Sequence, residues 1–274
     1  MTDNVKLPAI ACEIRQEIIK MLAKAGSGHT AGSLGMADIF TCLYFSILHH
    51  DPKNPSWEDR DRLVLSNGHI APVLYASLAV AGYFSSDKLV SLRKFGSPLQ
   101  GHPERGRLPG VETTSGPLGS GLAQACGMAA AARRDNKRFR IFCLTSDGEH
   151  QEGNHWEAVL FAAKYKLSNL TQFVDRNNIQ ISGKTEYVMP LEPVLAKYQA
   201  FGWQALAIDG HDYLQIQNSV SRARQVYDKP TVIVAKTTPG KGVSFMEDNY
   251  LWHGKAPNKE EAKKALKEIR TACI

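Results

Sequence analysis

The stretch from Thr145 to Ile181 constrains this chain most. The run 140–144 (RIFCL) is apolar and reads as a buried strand that stops at Ser146-Asp147-Gly148. Between Glu152 and Lys166, Trp156, Val159, Leu160 and Ala163 recur at helical spacing. A second apolar run, Leu170 to Val174, ends in Asp175-Arg176-Asn177-Asn178. Strand, helix and strand in that order make one crossover unit of a parallel sheet. In such sheets ligands bind beyond the carboxyl ends of the strands. The reading therefore brings Asp147 and Asn177, thirty positions apart, to one binding edge.

A carboxylate and a side-chain amide are hard oxygen donors, suited to Mg²⁺ or Ca²⁺. Mg²⁺ takes few protein ligands and completes its octahedron with water or phosphate oxygens. Gly148 lets the backbone approach a phosphate closely, with its N–H towards the anion. Singly, Asp147 is more simply a helix cap and Asn177 a turn residue. Together, Asp-Gly after one strand and Asn-Asn after the next favour a diphosphate held through a metal.

The chain has 274 residues, enough for one large α/β domain or two small ones, and 43% of them are hydrophobic, enough for a sizeable core. The net charge of +6 suits anionic ligands such as sugar phosphates. No aromatic-interleaved basic tract or zinc spacing accompanies it, which argues against nucleic acid. The five cysteines, Cys12, Cys42, Cys126, Cys143 and Cys273, form no CxxC pair, and four lie among apolar residues. They read as reduced core residues of a cytoplasmic protein. No apolar run reaches the length of a signal peptide core or a membrane span.

Taken in order, Pro8 to Ala25 is a helix with Ile10, Ile14, Ile18 and Leu22 four apart, stopped by Gly26. The next segment, GSGHTAGSLG, reads as a glycine-rich loop around His29, with the following helix over Met36 to His50. A lone histidine is more often a packed or surface residue; standing between glycines in a loop raises the functional reading. Arg62 to Leu65 is a short strand ending at SNGH, which contains His69. Phe95 to Gly121 is irregular and holds GHPE, with His102, and TTSGPLGSG, with Gly116 and Leu118. A long irregular segment inside a compact domain is usually functional. A helix of small residues over Leu122 to Arg134 reads as close-packed, in the core or against another subunit. Beyond the central unit come a polar loop (Gln180 to Met189), a short helix (Pro193 to Phe201) and a strand (Trp203 to Ile208). Asp212 caps a helix to Val226, and a buried strand follows over Thr231 to Thr237. The last part carries WHG, with His253, and a charged helix from Ala256 to Ala272. The fold class expected is α/β, a doubly wound, mainly parallel sheet with helices on both faces, forming a single domain over 1–274.

The segments GSGH, SNGH, GHPE, GPLG, SDG with its following EG, NNI and WHG resemble, in order and spacing, the thiamin diphosphate-binding domain of the transketolase family. Two departures stand out: Ser146 replaces the usual first glycine of Gly-Asp-Gly, and Thr30 replaces the proline of a Gly-His-Pro loop. The resemblance implies that Asp147, Asn177 and the Ile179 carbonyl hold Mg²⁺ (or Ca²⁺). It places His69, Gly116, Leu118, Gly148, Asn177 and His253 around thiamin diphosphate, with the Gly116 carbonyl accepting from the aminopyrimidine. It gives His29, His102 and His253 catalytic or substrate-binding roles, and places Glu152, with Glu157, towards a partner. The implied reaction is transfer of a two-carbon ketol unit from a ketose phosphate to an aldose phosphate.

Transketolases also need a pyrimidine-binding domain, and no second series of strands and helices follows His253. The resemblance therefore implies the N-terminal subunit of a split transketolase, forming a heterotetramer with C-terminal subunits. Its setting would be the pentose phosphate pathway or a route for unusual sugars. The alternatives are the alpha chain of a 2-oxoacid dehydrogenase and a non-catalytic cofactor-binding scaffold. The histidine set argues against the first; Ser146 and Thr30 leave the second open. Zinc binding by the histidines is discounted because none has short metal-ligand spacing.

Overall fold

The computed structural model describes residues 6–272. Five parallel strands form the central sheet: β1 (Arg62–Leu65), β2 (Ile141–Ser146), β3 (Leu170–Arg176), β6 (Gln204–Asp209) and β7 (Thr231–Lys236), in the order β1-β2-β3-β7-β6. The order runs outward through β3, skips to the edge at β6 and returns with β7, so it reverses between β3 and β7. A reversal of this kind opens a crevice at the carboxyl edge. The register carries all the strand tips there, with Ser146 beside Asp175 and Arg176 beside Lys236.

Strands β2 and β3 are buried along their whole length because helices cover both faces. Phe142, Leu144, Phe173 and Ile233 enter one core, while Ile141, Cys143, Val174, Val232 and Val234 enter the other. The helices α1 (Leu7–Ala25), α2 (Ala31–Gly35), α3 (Ala37–Cys42), α4 (Ala71–Val80), α9 (Tyr213–Arg224) and α10 (Lys259–Ala272) contribute to the first core. Helices α5 (Ser120–Arg134), α6 (Gly153–Lys164) and α8 (Val194–Ala200) supply the second. In α5 the small residues divide by face. Ala125, Cys126, Ala129 and Ala132 are in the core, and Ala123, Gly127 and Ala131 are exposed.

Several expectations change in detail. Residues 31–35, read as loop, form a short buried helix, α2 (Ala31–Gly35). Its glycines serve close packing: a Cβ at Gly32 would lie 2.9 Å from Ile70, and one at Gly35 would lie 2.9 Å from the Thr238 carbonyl. Only Gly26 and Gly28 of this segment have positive φ. The helix expected over 36–50 is shorter and ends in a π turn at Leu43–Ile47. The polar loop after Gln180 folds into a tight hairpin of β4 (Ile179–Gln180) and β5 (Gly183–Lys184), followed by α7 (Thr185–Val188). Cys42, Cys126 and Cys143 are free and buried as expected. Cys12 departs from the expectation, being disulfide-bonded; Cys273 lies outside the described residues. Among the described residues no helix is long and apolar enough to cross a membrane.

Candidate functional site

The tips of β2 and β3 meet as the strand pattern requires. The Asp147 N–H donates to the Asp175 carbonyl at 3.2 Å, so Asp147 and Asn177 leave neighbouring strands at the same edge. The Asp147 side chain is buried and its two oxygens are used unequally. Oδ2 accepts from Arg176 (3.0 Å), the Asn178 N–H (2.8 Å) and the Thr185 hydroxyl (3.1 Å). Among the described residues Oδ1 accepts from the Gly148 N–H alone, at 2.7 Å. A carboxylate oxygen has two lone-pair sites, so Oδ1 keeps one for a further partner. The helix-capping reading of Asp147 is thus also true, and it leaves that donor available.

The Asn177 amide is oriented by the residues two positions to either side. Its Nδ2 donates to Asp175 at 2.7 Å, and its Oδ1 accepts from the Ile179 N–H at 3.0 Å. Asp175 in turn accepts from the Thr237 hydroxyl at the tip of β7. The amide oxygen is thereby fixed with spare acceptor capacity. Among the described residues no group of three or more His, Cys, Asp and Glu could enclose a metal. The donor set instead fits a hard cation held by a few oxygens, with the remaining positions left to other oxygen ligands. Gly148 also fits a close approach, since a Cβ there would press on Gln180 at 3.2 Å. Burial pushes the Asp147 carboxyl up against the pull of Arg176, and burial pushes Asp175 up to about 7.

Beyond the tip of β1, which His69 follows, the histidines gather. His29 and His69 have ring centroids 4.8 Å apart, His29 and His253 5.6 Å, and His69 and His253 5.5 Å. His102 is the most exposed of the four and lies against Gly116, whose Cβ would be 3.7 Å from the His102 ring. Burial, then His253, Arg93 and His102, push His29 down to about 4. Burial and the neighbouring imidazoles take His69 well below its usual value, and burial lowers His102 and His253. The cluster is therefore neutral near pH 7, each ring able to donate at one nitrogen and accept at the other. Among the described residues His29 Nδ1, His253 Nδ1, Ser115 Oγ, Gln180 Nε2 and both polar atoms of the Asn67 amide are buried without a partner. Buried polar groups are seldom left so, and these lie at or behind the same edge.

His29 is held through its neighbours. The Thr30 hydroxyl donates to the Lys255 carbonyl at 2.6 Å, and the Gly240 N–H donates to the Ala31 carbonyl at 2.8 Å. Thr30 thus ties the His29 segment to the stretch carrying His253. The loop before α5 turns at Gly116 (φ +157°) and Gly119 (φ +81°), leaving Leu118 between them. Glu152 stands apart from the histidines: its side chain is exposed, beside Gly119, and Glu157 is exposed further along α6.

Sequence reading missed three participants. Arg176 bridges Asp147, Glu186 and Glu192, and Thr185 reaches Asp147 from α7. Glu149 is fully buried, and burial pushes its carboxyl up to about 7. The signal for Arg176 was present, a cation inside DRNN facing the acidic DG turn of the neighbouring strand; for Thr185 and Glu149 there was none.

The chain matches the model of the transketolase thiamine diphosphate binding domain over residues 8–271. The chain belongs to the transketolase family. The crystal structure of Campylobacter jejuni transketolase superposes with a TM-score of 0.92 at 38% identity, covering 98% of this chain and 43% of that one. Human transketolase is 37% identical over 271 residues, with 43% of its length covered. The chain therefore spans under half the length of those transketolases. It spans nearly all of shorter relatives. The 6-deoxy-6-sulfo-D-fructose transketolase subunit of Clostridium sp. (strain MSTE9) is 41% identical, with 93% of each chain covered. An apulose-4-phosphate transketolase subunit of Phocaeicola vulgatus is 38% identical, with 93% of this chain and 90% of that protein covered. In this transketolase domain the Asp147–Asn177 turn and His69 of the histidine cluster both follow strand tips at the carboxyl edge of the doubly wound sheet.

Proposed function

We propose that this chain is the N-terminal, diphosphate-binding subunit of a split transketolase, moving a two-carbon ketol unit from a ketose phosphate to an aldose phosphate. The observation that carries the reading is the meeting of His29, His69 and His253, with His102 at the rim, on the edge where Asp147 and Asn177 present spare oxygen donors. Asp147, Asn177 and the Ile179 carbonyl would hold Mg²⁺ (or Ca²⁺), and Gly148 and His69 would lie against the diphosphate. Gly116 and Leu118 would line the cofactor ring. Thiamin diphosphate, when bound, supplies the electron sink that breaking a carbon–carbon bond beside a carbonyl requires.

The protein's own part is proton handling and orientation. Neutral imidazoles can take a proton from one sugar hydroxyl and return it to another oxygen near neutral pH. His29 and His253, packed ring to ring, would serve the reacting hydroxyls, and His102, exposed at the rim, would bind the far end of the donor. Burial, and for His29 its charged neighbours as well, keeps them uncharged, which preserves their capacity to accept.

A C-terminal partner would complete the site in a heterotetramer. Ile181, Tyr187, Val188 and Met189, exposed just beyond the metal turn, and Leu160, Phe161 and Tyr165 in and just after α6 support that partner. Glu152, exposed beside Gly119, would face it. A cytoplasmic setting is the one the free buried thiols of Cys42, Cys126 and Cys143 favour, against the disulfide at Cys12.

The test is coexpression with the C-terminal partner, followed by an assay of ketol transfer with Mg²⁺ and thiamin diphosphate. Transfer is expected with the wild-type pair, and Asn177→Ala is expected to weaken cofactor binding by at least about tenfold. A pair that assembles and neither binds thiamin diphosphate nor transfers the unit would overturn the reading.

A further inference from the structure

Glu149 belongs to none of the roles given so far, yet it is fully buried at the carboxyl edge. It follows the metal turn directly, in the 3-10 turn Gly148–Gln151. Its Oε1 accepts from the Ser66 hydroxyl and from the Gly119 N–H at 2.6 Å, and its Oε2 accepts from the Ser146 N–H at 3.2 Å. Ser66 Oγ accepts in its turn from the Gly121 N–H at 3.0 Å. One carboxylate thus joins the tip of β1, the tip of β2 and the amino end of α5. Its partners are a hydroxyl and two backbone N–H groups, and it lies where the helix dipole favours negative charge.

The Gly119 contact matters most. The segment 116–119 is anchored at its near end by the Ser115 N–H, which donates to the Pro103 carbonyl at 3.1 Å. At its far end the Gly119 N–H goes to Glu149. Asn154 and Glu152 pack closely over Gly119, where an added Cβ would lie 2.1 Å from Asn154 Oδ1 and 2.8 Å from Glu152 Cβ. The Ser146-Asp147-Gly148 turn and the Gly116–Gly119 loop therefore share one strut.

We propose that Glu149 is a positioning residue that sets the ring-facing loop (Gly116, Leu118) at a fixed distance from the metal turn (Asp147, Gly148). This deepens the cofactor reading above and rests on it. A glutamine at this position would turn an amide N–H towards either the Gly119 or the Ser146 N–H, donor against donor, and break one end of the strut.

The test uses the complex with the C-terminal partner. Calorimetric titration compares two ligands, Mg²⁺–thiamin diphosphate and Mg²⁺–pyrophosphate. Pyrophosphate needs the metal turn and the histidines beside it but not the ring-facing loop; thiamin diphosphate needs the loop as well. Glu149→Gln is expected to weaken thiamin diphosphate by at least about fivefold while changing pyrophosphate by less than about twofold. Ser66→Ala, which removes one donor, is expected to shift the same ratio in the same direction, and it carries the comparison if Glu149→Gln does not fold. Equal weakening of both ligands, or of neither, in the folded variants would overturn the inference. A wild-type complex that fails to bind thiamin diphosphate would instead overturn the cofactor reading beneath it.

Discussion

Asp38 lies on α3, 3% exposed, and four donor atoms from other parts of the chain converge on it. Arg15 of α1 binds it bidentately at 3.0 and 2.6 Å, His211 Nδ1 donates at 2.7 Å, and the Tyr213 hydroxyl donates at 2.7 Å. His211 cannot change roles freely, because its Nε2 accepts from the Thr238 N–H at 2.8 Å, which fixes the proton on Nδ1. Asp38→Asn keeps the shape and places an amide N–H where only donors point. Removing one partner of a buried pair costs about 3–5 kcal/mol. The asparagine keeps one acceptor oxygen, so we expect about 2–4 kcal/mol of lost stability. For a domain of this size that corresponds to a fall in Tm of roughly 5–15 °C. Burial alone would push the Asp38 carboxyl up; Arg15 and the other donors outweigh it and hold the carboxyl well below the usual range. A depressed carboxylate stabilises the fold at pH values above its unfolded pKa, and the contribution is lost as pH falls below that value. The gap between wild type and Asp38→Asn should therefore be the same at pH 7 and pH 5 and close only below about pH 4. Urea denaturation at the three pH values measures it. A loss under about 1 kcal/mol at pH 7 would refute the account of the network as a buried charge centre.

Two further outcomes follow from the site. His29, pushed down to about 4 by burial and its neighbours, is neutral in the fold while the unfolded chain takes up a proton near 6.5, so stability should decline as pH falls from about 6.5 towards about 4. His29→Gln should remove about 1–2 kcal/mol of that decline, allowing for the ring's partial exposure, as read from urea melts at pH 7 and 5; an unchanged pH slope would contradict it. Gly119→Ala should lower stability by at least about 2 kcal/mol, since φ is +81° and the added Cβ would meet Asn154, and a thermal melt within about 2 °C of wild type would contradict that.

The central unit was legible because its signals are local. Apolar runs of strand length, a helical period between them and polar residues at both strand ends need only near neighbours to be read, and β2, α6 and β3 form where those signals place them. The convergence of Asp147 and Asn177 followed from parallel strand direction alone. The histidines were legible as residues in unusual loops, and their gathering followed from the family resemblance. The glycines of GSGHTAGSLG misled. Glycine serves both an unusual φ and a close approach, and Gly32 and Gly35 serve the second inside a buried helix.

The chain's own order of residues set the sheet, its two cores and the edge where anionic ligands and a cation would meet, because periodicity and strand ends are properties of adjacent positions. It did not set how that edge is braced. Ser66 and Glu149 are 83 positions apart, and Asp38 and His211 are 173. Such pairs form only after the strands have lined up their tips. A carboxylate at either position has no neighbour in the sequence that announces its partner, and its burial becomes tolerable only when the folded backbone delivers the donors that surround it.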